Sequence, residues 1–252
     1  MLGPLNKNLT RRIQNIANYG SHLWGYCNHL IIKYICRTKI HIHGQTNLSN
    51  ADWYLLISNH CSAADIPILY SVFNKKLPPF KFFLKQELLY MPLLGSTCWT
   101  LGMPFINRKK SQSFQFDFNI FKTAPCTIIN FVEGSRVNSI KIKENKSPYS
   151  YLLKPKFLGI LSTLLSLKNE IKHIVDVTII YRDLGLQGKH KILLMLFCGD
   201  LKDIDIQIKL HDSPQCLQLT NEKQIKVQFK HWINDLWKEK DQWIHQQKTA
   251  AS

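Results

Sequence analysis

Between Leu9 and Arg37, Ile13, Ile16, Tyr19, Leu23, Trp24, Cys27, Leu30, Ile31, Tyr34 and Ile35 recur every three or four positions. That is the period of one helical face, and it predicts an amphipathic helix. Lys7, Arg11, Arg12, Lys33, Arg37 and Lys39 flank the stripe. Apolar and aromatic residues bounded by cations suit a helix lying in a lipid headgroup layer, and the same stripe suits a helix packed on the domain's own core. The greasiest part, Leu23 to Cys36, is interrupted by Asn28, His29 and Lys33. It falls short of the roughly 20 apolar residues that cross a bilayer, so no transmembrane helix is expected.

Beyond this helix the pattern changes to short apolar runs that end in polar residues. Strands are predicted at residues 39–44, 53–58, 81–84, 103–106, 126–132, 173–181 and 191–198, and helices near residues 66–74, 111–123, 157–168 and 224–243. Strands alternating with helices point to an α/β fold, a mainly parallel twisted sheet flanked by helices, preceded by the amphipathic helix. The expected division is residues 1–38 as a membrane-surface helix region, 39–247 as the main domain and 248–252 as a disordered tail.

Composition narrows what such a domain does. Hydrophobic residues make up 45% of the 252 and charged residues 20%, too apolar for a disordered chain. Thirty-three Lys and Arg against seventeen Asp and Glu give +16, a field that attracts nucleic acid, anionic lipid or phosphorylated small molecules. Seven cysteines without a C-x-x-C pair argue for free thiols and against a cysteine-built zinc site; no metal is expected. The first twenty residues do not read as a secretory leader, and the expected location is the cytoplasmic face of a membrane.

Chemistry concentrates at three predicted strand ends. Asn59-His60 follow the run Trp53–Ser58 directly, and strand ends are where ligands bind in open α/β sheets. A five-residue spacing puts side chains about 140° apart on a helix, so His60 and Asp65 meet only if His60 sits in the turn before it. Pro67, tolerated in a first helical turn, places the helix start near Ala63 to Asp65. Asp65 can then hold one imidazole nitrogen and leave the other to take a proton from an alcohol, half of a serine-protease triad. The alternative is a capping box, Ser62-x-x-Asp65. Arg108, in Phe105-Ile106-Asn107-Arg108, can donate a bidentate pair to phosphate oxygens. The apolar run Ile128 to Val132 delivers Glu133, Gly134, Ser135 and Arg136 together. There Gly134 permits close approach of backbone and ligand, or Glu133 and Arg136 form an ordinary ion pair in a turn. Lys85 is a candidate for phosphate or carrier contact. Cys61, although adjacent to His60, points away from it in any ordinary backbone and reads as a bystander.

These motifs, in this order, resemble the glycerolipid acyltransferases typified by lysophosphatidic acid acyltransferase. That family carries N-H-x4-D, F-x-x-R, E-G-[ST]-R and a fourth apolar strand usually containing proline. Here they are Asn59-His60 to Asp65, Phe105 to Arg108, Glu133 to Arg136 and Val177 to Ile180, with Thr178 in the place of the proline. The flanking wording is most similar to the bacterial YihG-type branch. The resemblance implies that His60 is the general base and Asp65 orients it. It also implies that Arg108, Glu133, Gly134 and Arg136 bind an acceptor phosphate, with Asn59, Ser135 and Lys85 joining as substrate-binding candidates. The implied reaction moves an acyl chain from acyl-CoA or acyl carrier protein, as co-substrate rather than bound cofactor, to 1-acylglycerol-3-phosphate at an anionic membrane surface. A nonenzymatic nucleic-acid-binding protein would also explain the charge, but the cations are spread along the chain without a recognition motif. An inactive membrane scaffold of the same fold is the third reading.

Overall fold

The computed structural model describes residues 7–44, 47–92, 94–106, 118–182 and 192–250. Six strands form one sheet in the order β1-β8-β7-β2-β6-β3. They are β1 (Lys39–Gly44), β2 (Trp53–Ser58), β3 (Phe80–Phe82), β6 (Thr127–Phe131), β7 (Ile171–Tyr181) and β8 (Asp203–Asp212). The pairs β7-β2, β2-β6, β6-β3 and β1-β8 are parallel; only β7-β8 is antiparallel. The expected mainly parallel sheet is therefore present. Two short strands, β4 (Leu84–Lys85) and β5 (Phe105–Ile106), pair separately.

Period-two alternation sorts the central strands onto two cores. Tyr54, Leu56, Ile129, Val175, Val177 and Ile179 face one layer, where α2 (Asp65–Phe73) and α6 (Ile192–Cys198) pack. Leu55, Ile57, Ile128, Ile174 and Ile180 face the other, under α5 (Leu158–Ser166) and the long α7 (Glu222–Ala250). Two further short helices are α3 (Leu94–Thr100) and α4 (Ser139–Glu144).

Four boundaries correct the sequence pattern. The run 191–198, expected as a strand, is helix α6 over its described residues. Seven consecutive apolar residues carry no period that separates a buried strand from a buried helix, and Leu and Met are good helix formers; Ile192 and Leu196, one helical turn apart, are buried. β8 is a strand that the reading above lacks. Of the helix expected at 111–123, residues 118–123 form a 3-10 turn and 111–117 lie outside the described residues. α7 runs to Ala250, three residues past the expected domain end, so positions 248–250 are helical rather than a disordered tail. Its last turns, rich in Gln, Lys and Ala, favour helix without needing a core.

At the N-terminus, α1 (Lys7–Leu30) continues into a π-helical turn, Ile31–Ile35. Its orientation sets which face meets the domain. Ser21, Gly25, Asn28 and Ile32 face the domain and are buried, whereas Ile16, Tyr19, Leu23 and Tyr26 are half or more exposed. Gly25 permits this packing, because a Cβ there would lie 3.2 Å from the Tyr70 carbonyl oxygen on α2. Trp24 stands edge-on to Tyr70 with ring centroids 4.4 Å apart, and His29 Nδ1 is 3.2 Å from Ser71 Oγ. So α1 docks through small and polar groups and turns most of its apolar stripe outward.

Candidate active site

Parallel pairing brings the C-terminal ends of β2, β6 and β7 together, at Ser58, Phe131 and Tyr181. The chain leaving β2 reaches α2 through a six-residue loop, 59–64, and that loop carries His60. α2 begins at Asp65, as the spacing and Pro67 require. His60 Nδ1 lies 2.8 Å from Asp65 Oδ2. An ionised carboxylate only accepts, so the proton sits on Nδ1. Among the described residues no hydrogen bond reaches Nε2, which leaves that nitrogen as the acceptor for an incoming proton. The imidazole is also stacked on Phe131, with ring centroids 4.1 Å apart.

Asp65 does more than hold the ring. Its Oδ2 accepts backbone N–H bonds from Cys61 at 2.7 Å and Ser62 at 3.0 Å, and its Oδ1 accepts the Tyr181 hydroxyl at 2.5 Å. One fully buried carboxylate thus fixes the loop and the His60 imidazole together. The capping box is half formed. Asp65 reaches back to the Ser62 N–H, but the Ser62 hydroxyl accepts from the Ala64 N–H instead of from position 65.

Tyr181, at the end of β7, is a site residue that sequence reasoning missed. Its partner is 116 positions away, and no local motif announces it. Burial, reinforced by the neighbouring Asp65 carboxylate, raises its pKa well above the ordinary 10.0, so it stays a hydroxyl donor. Tyr181→Phe removes one charge-assisted bond and leaves the ring. The expected result is a folded protein with kcat lowered about ten-fold and KM unchanged, read by steady-state kinetics.

Two expected substrate-binding residues also hold the scaffold. Asn59 Oδ1 accepts the Ile179 N–H at 2.9 Å and its Nδ2 donates to the Ile179 carbonyl at 3.0 Å. That two-sided clasp ties the loop to β7 and uses both ends of a buried amide. Glu133, 1% exposed, accepts the His60 N–H at 2.9 Å on one oxygen and the Leu153 N–H at 2.7 Å on the other. These two bonds make Glu133 a bracket that holds His60 from behind. The Val137 N–H donates to the His60 carbonyl at 2.8 Å and completes it.

The remaining candidates divide by position. Gly134 has φ +67°, and a Cβ there would come within 3.0 Å of Lys156 Cδ and 3.3 Å of Nζ. The close approach that this glycine permits is therefore to an exposed lysine from the segment before α5. Lys156 reaches over the turn that carries Arg136, also exposed, with Ser135 half-buried between Arg136 and Gly134. Lys85 lies on β4, with its side chain outside the described residues. Arg108 lies outside them altogether. Thr178, in the place of the family's proline, is buried within β7 and directly precedes the clasped Ile179. Cys61 is buried against the Ile179 carbonyl, consistent with a bystander. Among the described residues no group of three or more His, Cys, Asp or Glu side chains is placed to hold a metal.

Comparison with known proteins adds lineage to this geometry. Residues 39–181 match the model of the family described as Acyltransferase. Over 256 residues the chain is 24% identical to 1-acyl-sn-glycerol-3-phosphate acyltransferase 3 of Arabidopsis thaliana, covering 94% of this chain and 65% of that protein. It is also 24% identical over 260 residues to 1-acyl-sn-glycerol-3-phosphate acyltransferase gamma of Mus musculus, covering 95% and 65%. A shorter match, 30% over 82 residues, is to the alpha enzyme of Homo sapiens, covering 32% of this chain and 28% of that one. The chain thus spans about two thirds or less of the length of these curated relatives. Among solved structures, the 1-acyl-sn-glycerophosphate acyltransferase PlsC from Thermotoga maritima superposes with TM-score 0.48 at 15% identity, covering 88% of this chain and 97% of that one. Because the family model spans more than half of the sequence, and takes in both the clamped histidine loop and the turn Glu133 to Arg136, this chain belongs to the acyltransferase family.

Proposed function

We propose that the protein is an O-acyltransferase working at a membrane surface, and that its acceptor is a lysophospholipid, 1-acylglycerol-3-phosphate. The observation that carries this reading is the clamped His60. Its Nδ1 is committed to a buried carboxylate while Nε2 remains open to a hydroxyl. Nε2 takes the proton of the acceptor's free hydroxyl as its oxygen attacks the carbonyl carbon of an acyl thioester. The C–O bond forms, the C–S bond breaks, and the proton passes from His60 to the departing thiolate. Phosphatidic acid and a free thiol carrier result. No covalent enzyme intermediate is required, which fits a buried Cys61.

The names of the plant and mammalian relatives support the acceptor. Arg136 and Lys156, exposed beside the catalytic loop, offer its phosphate two cations. Arg108, Ser135 and Lys85 are proposed to join them. The donor is proposed to be the thioester of coenzyme A or of acyl carrier protein. Kinship with a bacterial YihG-type branch is proposed on the wording of the motif flanks.

The lipid surface is read from α1. Its outward residues Ile16, Tyr19 and Leu23 can enter the acyl boundary of a bilayer, with +16 drawing the chain to anionic headgroups. No helix among the described residues is long and apolar enough to cross a membrane. Association is proposed to be peripheral or monotopic, on the cytoplasmic face. The test is purified protein with vesicles, lysophosphatidate and isotope-labelled acyl-CoA or acyl carrier protein, with product read by mass spectrometry. Labelled phosphatidate is the expected result; acylation of other lysolipids with none of lysophosphatidate would replace the acceptor.

A further inference from the structure

We infer that helix α6, set against the π-helical turn that ends α1, forms a bilayer contact beside the active site and extends the apolar surface of α1 to the catalytic end of the sheet. The inference rests on the membrane-surface reading above and extends it to an element that the sequence pattern reads as a strand.

Topology places this contact. β7 runs parallel to β2, so its last residue, Tyr181, lies at the end of the sheet that carries His60. β8 returns antiparallel, with Ile204 opposite Tyr181, and β1 starts beside it with Lys39 opposite Asp203. The turn that leads into β1 and the helix that leads into β8 therefore both lie at the catalytic end. They also touch each other. Thr38 Oγ1 donates to the Leu201 carbonyl at 2.7 Å, the Lys39 N–H donates to the Lys202 carbonyl at 2.7 Å, and a Cβ on Gly199 would stand 3.3 Å from the Cys36 carbonyl oxygen.

The surface made this way is apolar where a soluble surface would be polar. Ile192 and Leu196 anchor α6 in the core, and the opposite face presents Leu194 at 63% and Phe197 at 49% exposure. Next to it the π-helical turn presents Tyr34 at 62% and Ile35 at 70%. Four large apolar side chains at one end of the sheet form a patch that a monomer in water has no reason to keep. Its margin decides the occupant. Lys33, Arg37, Lys39 and Lys202 are exposed around it, with Lys33 Nζ 5.1 Å from the Tyr34 ring centroid and Lys202 Nζ on the Gly199 carbonyl at 2.7 Å. Among the described residues the acids on these connecting segments are Asp200 and Asp203, and Asp203 is paired with His41 at 2.6 Å. Aromatic and aliphatic residues ringed by cations match an anionic phospholipid interface. Together with the outward stripe of α1, which runs directly into the π-helical turn, this patch would hold the catalytic end of the sheet against the lipid that carries the acceptor.

The experiment is co-sedimentation with vesicles of phosphatidylcholine and phosphatidylglycerol, comparing wild type with Leu194→Glu/Phe197→Glu and the milder Leu194→Ser/Phe197→Ser. Both pairs alter exposed side chains, and circular dichroism checks their fold. The expected result is a loss of vesicle partitioning of about ten-fold for the glutamate pair and a smaller loss for the serine pair. Val227→Glu, exposed on α7, should bind as wild type does. His60→Ala should also bind as wild type does, which keeps failure of the chemistry distinguishable from failure of docking. Unchanged partitioning of the folded glutamate pair would overturn the inference. So would sedimentation showing a wild-type dimer that the pair makes monomeric while vesicle binding persists, because the patch would then join two copies of this chain.

Discussion

Asp65→Asn lowers the acyl-transfer rate about 10³- to 10⁴-fold while the protein remains folded. The geometry says why the loss is of charge. Three donors converge on Oδ2, from His60, Cys61 and Ser62, while Oδ1 meets a single hydroxyl that can turn to accept. An asparagine therefore places its carbonyl oxygen on the three donors and its amide on Tyr181. The imidazole keeps its orientation and its proton on Nδ1, but nothing negative then stabilises the imidazolium that forms as the hydroxyl is deprotonated. The loss should appear in kcat with KM for the acceptor little changed, and the thermal midpoint should fall only modestly. Activity within ten-fold of wild type would remove Asp65 from the mechanism.

Lys240→Met destabilises the fold by about 3–5 kcal/mol, the largest stability effect expected of any single change here. Lys240, on α7, is buried to 2% and donates to Asp176 Oδ1 at 2.5 Å and to the Val177 carbonyl at 2.6 Å, with the Trp237 ring 4.9 Å away. Asp176 lies on β7, the strand that also carries Ile179 to the 59–64 loop and Tyr181 to Asp65, so this ion pair fixes α7 to the backbone of the candidate site. Methionine fills the space and leaves Asp176 with only His211, 3.8 Å away. Burial works to raise the pKa of Asp176, but the Lys240 ammonium and His211 together outweigh it and hold the carboxyl below the ordinary 3.8. A depressed folded-state pKa contributes stability that is present above the unfolded value and is lost as pH falls through the folded one. Wild type should therefore lose stability as pH drops below about 4, and Lys240→Met should lose less over that window. Urea denaturation at several pH values reads both effects. A change below about 1 kcal/mol near neutral pH would mean that the pair contributes little.

What the sequence makes legible follows the range of the interactions. The turn geometry of His60 and Asp65 is local: five residues apart, a proline two further on and a strand ending just before. Each of these constrains the backbone within one turn of helix, and the observed loop obeys them. Tyr181, Asn59 and Glu133 acquire their roles from partners 20 to 120 positions away, which only the parallel packing of β2, β6 and β7 brings near. A buried carboxylate that holds backbone amides and one that faces a phosphate read alike in a string of letters. β8 was within reach, since Ile204, Ile206 and Ile208 alternate with Asp203, Asp205 and Gln207 in the manner of a half-buried strand. α6 was not, because an unbroken apolar run has no period to read. The direction of α1 lies between these cases. Its stripe is plain, and the sign that it points outward is the other face, where Ser21 offers a hydrogen bond and Gly25 a close approach but little to bury.

The most direct measurement of the central claim, that His60 is the base of an acyl transfer, is mass spectrometry of total lipids from cells expressing wild type or His60→Ala at equal protein levels. Wild type should raise diacyl phosphatidate species, or the phospholipids made from them, at the expense of lysolipid, and His60→Ala should leave the lipids as they are without either protein. An equal change with both proteins would contradict the account.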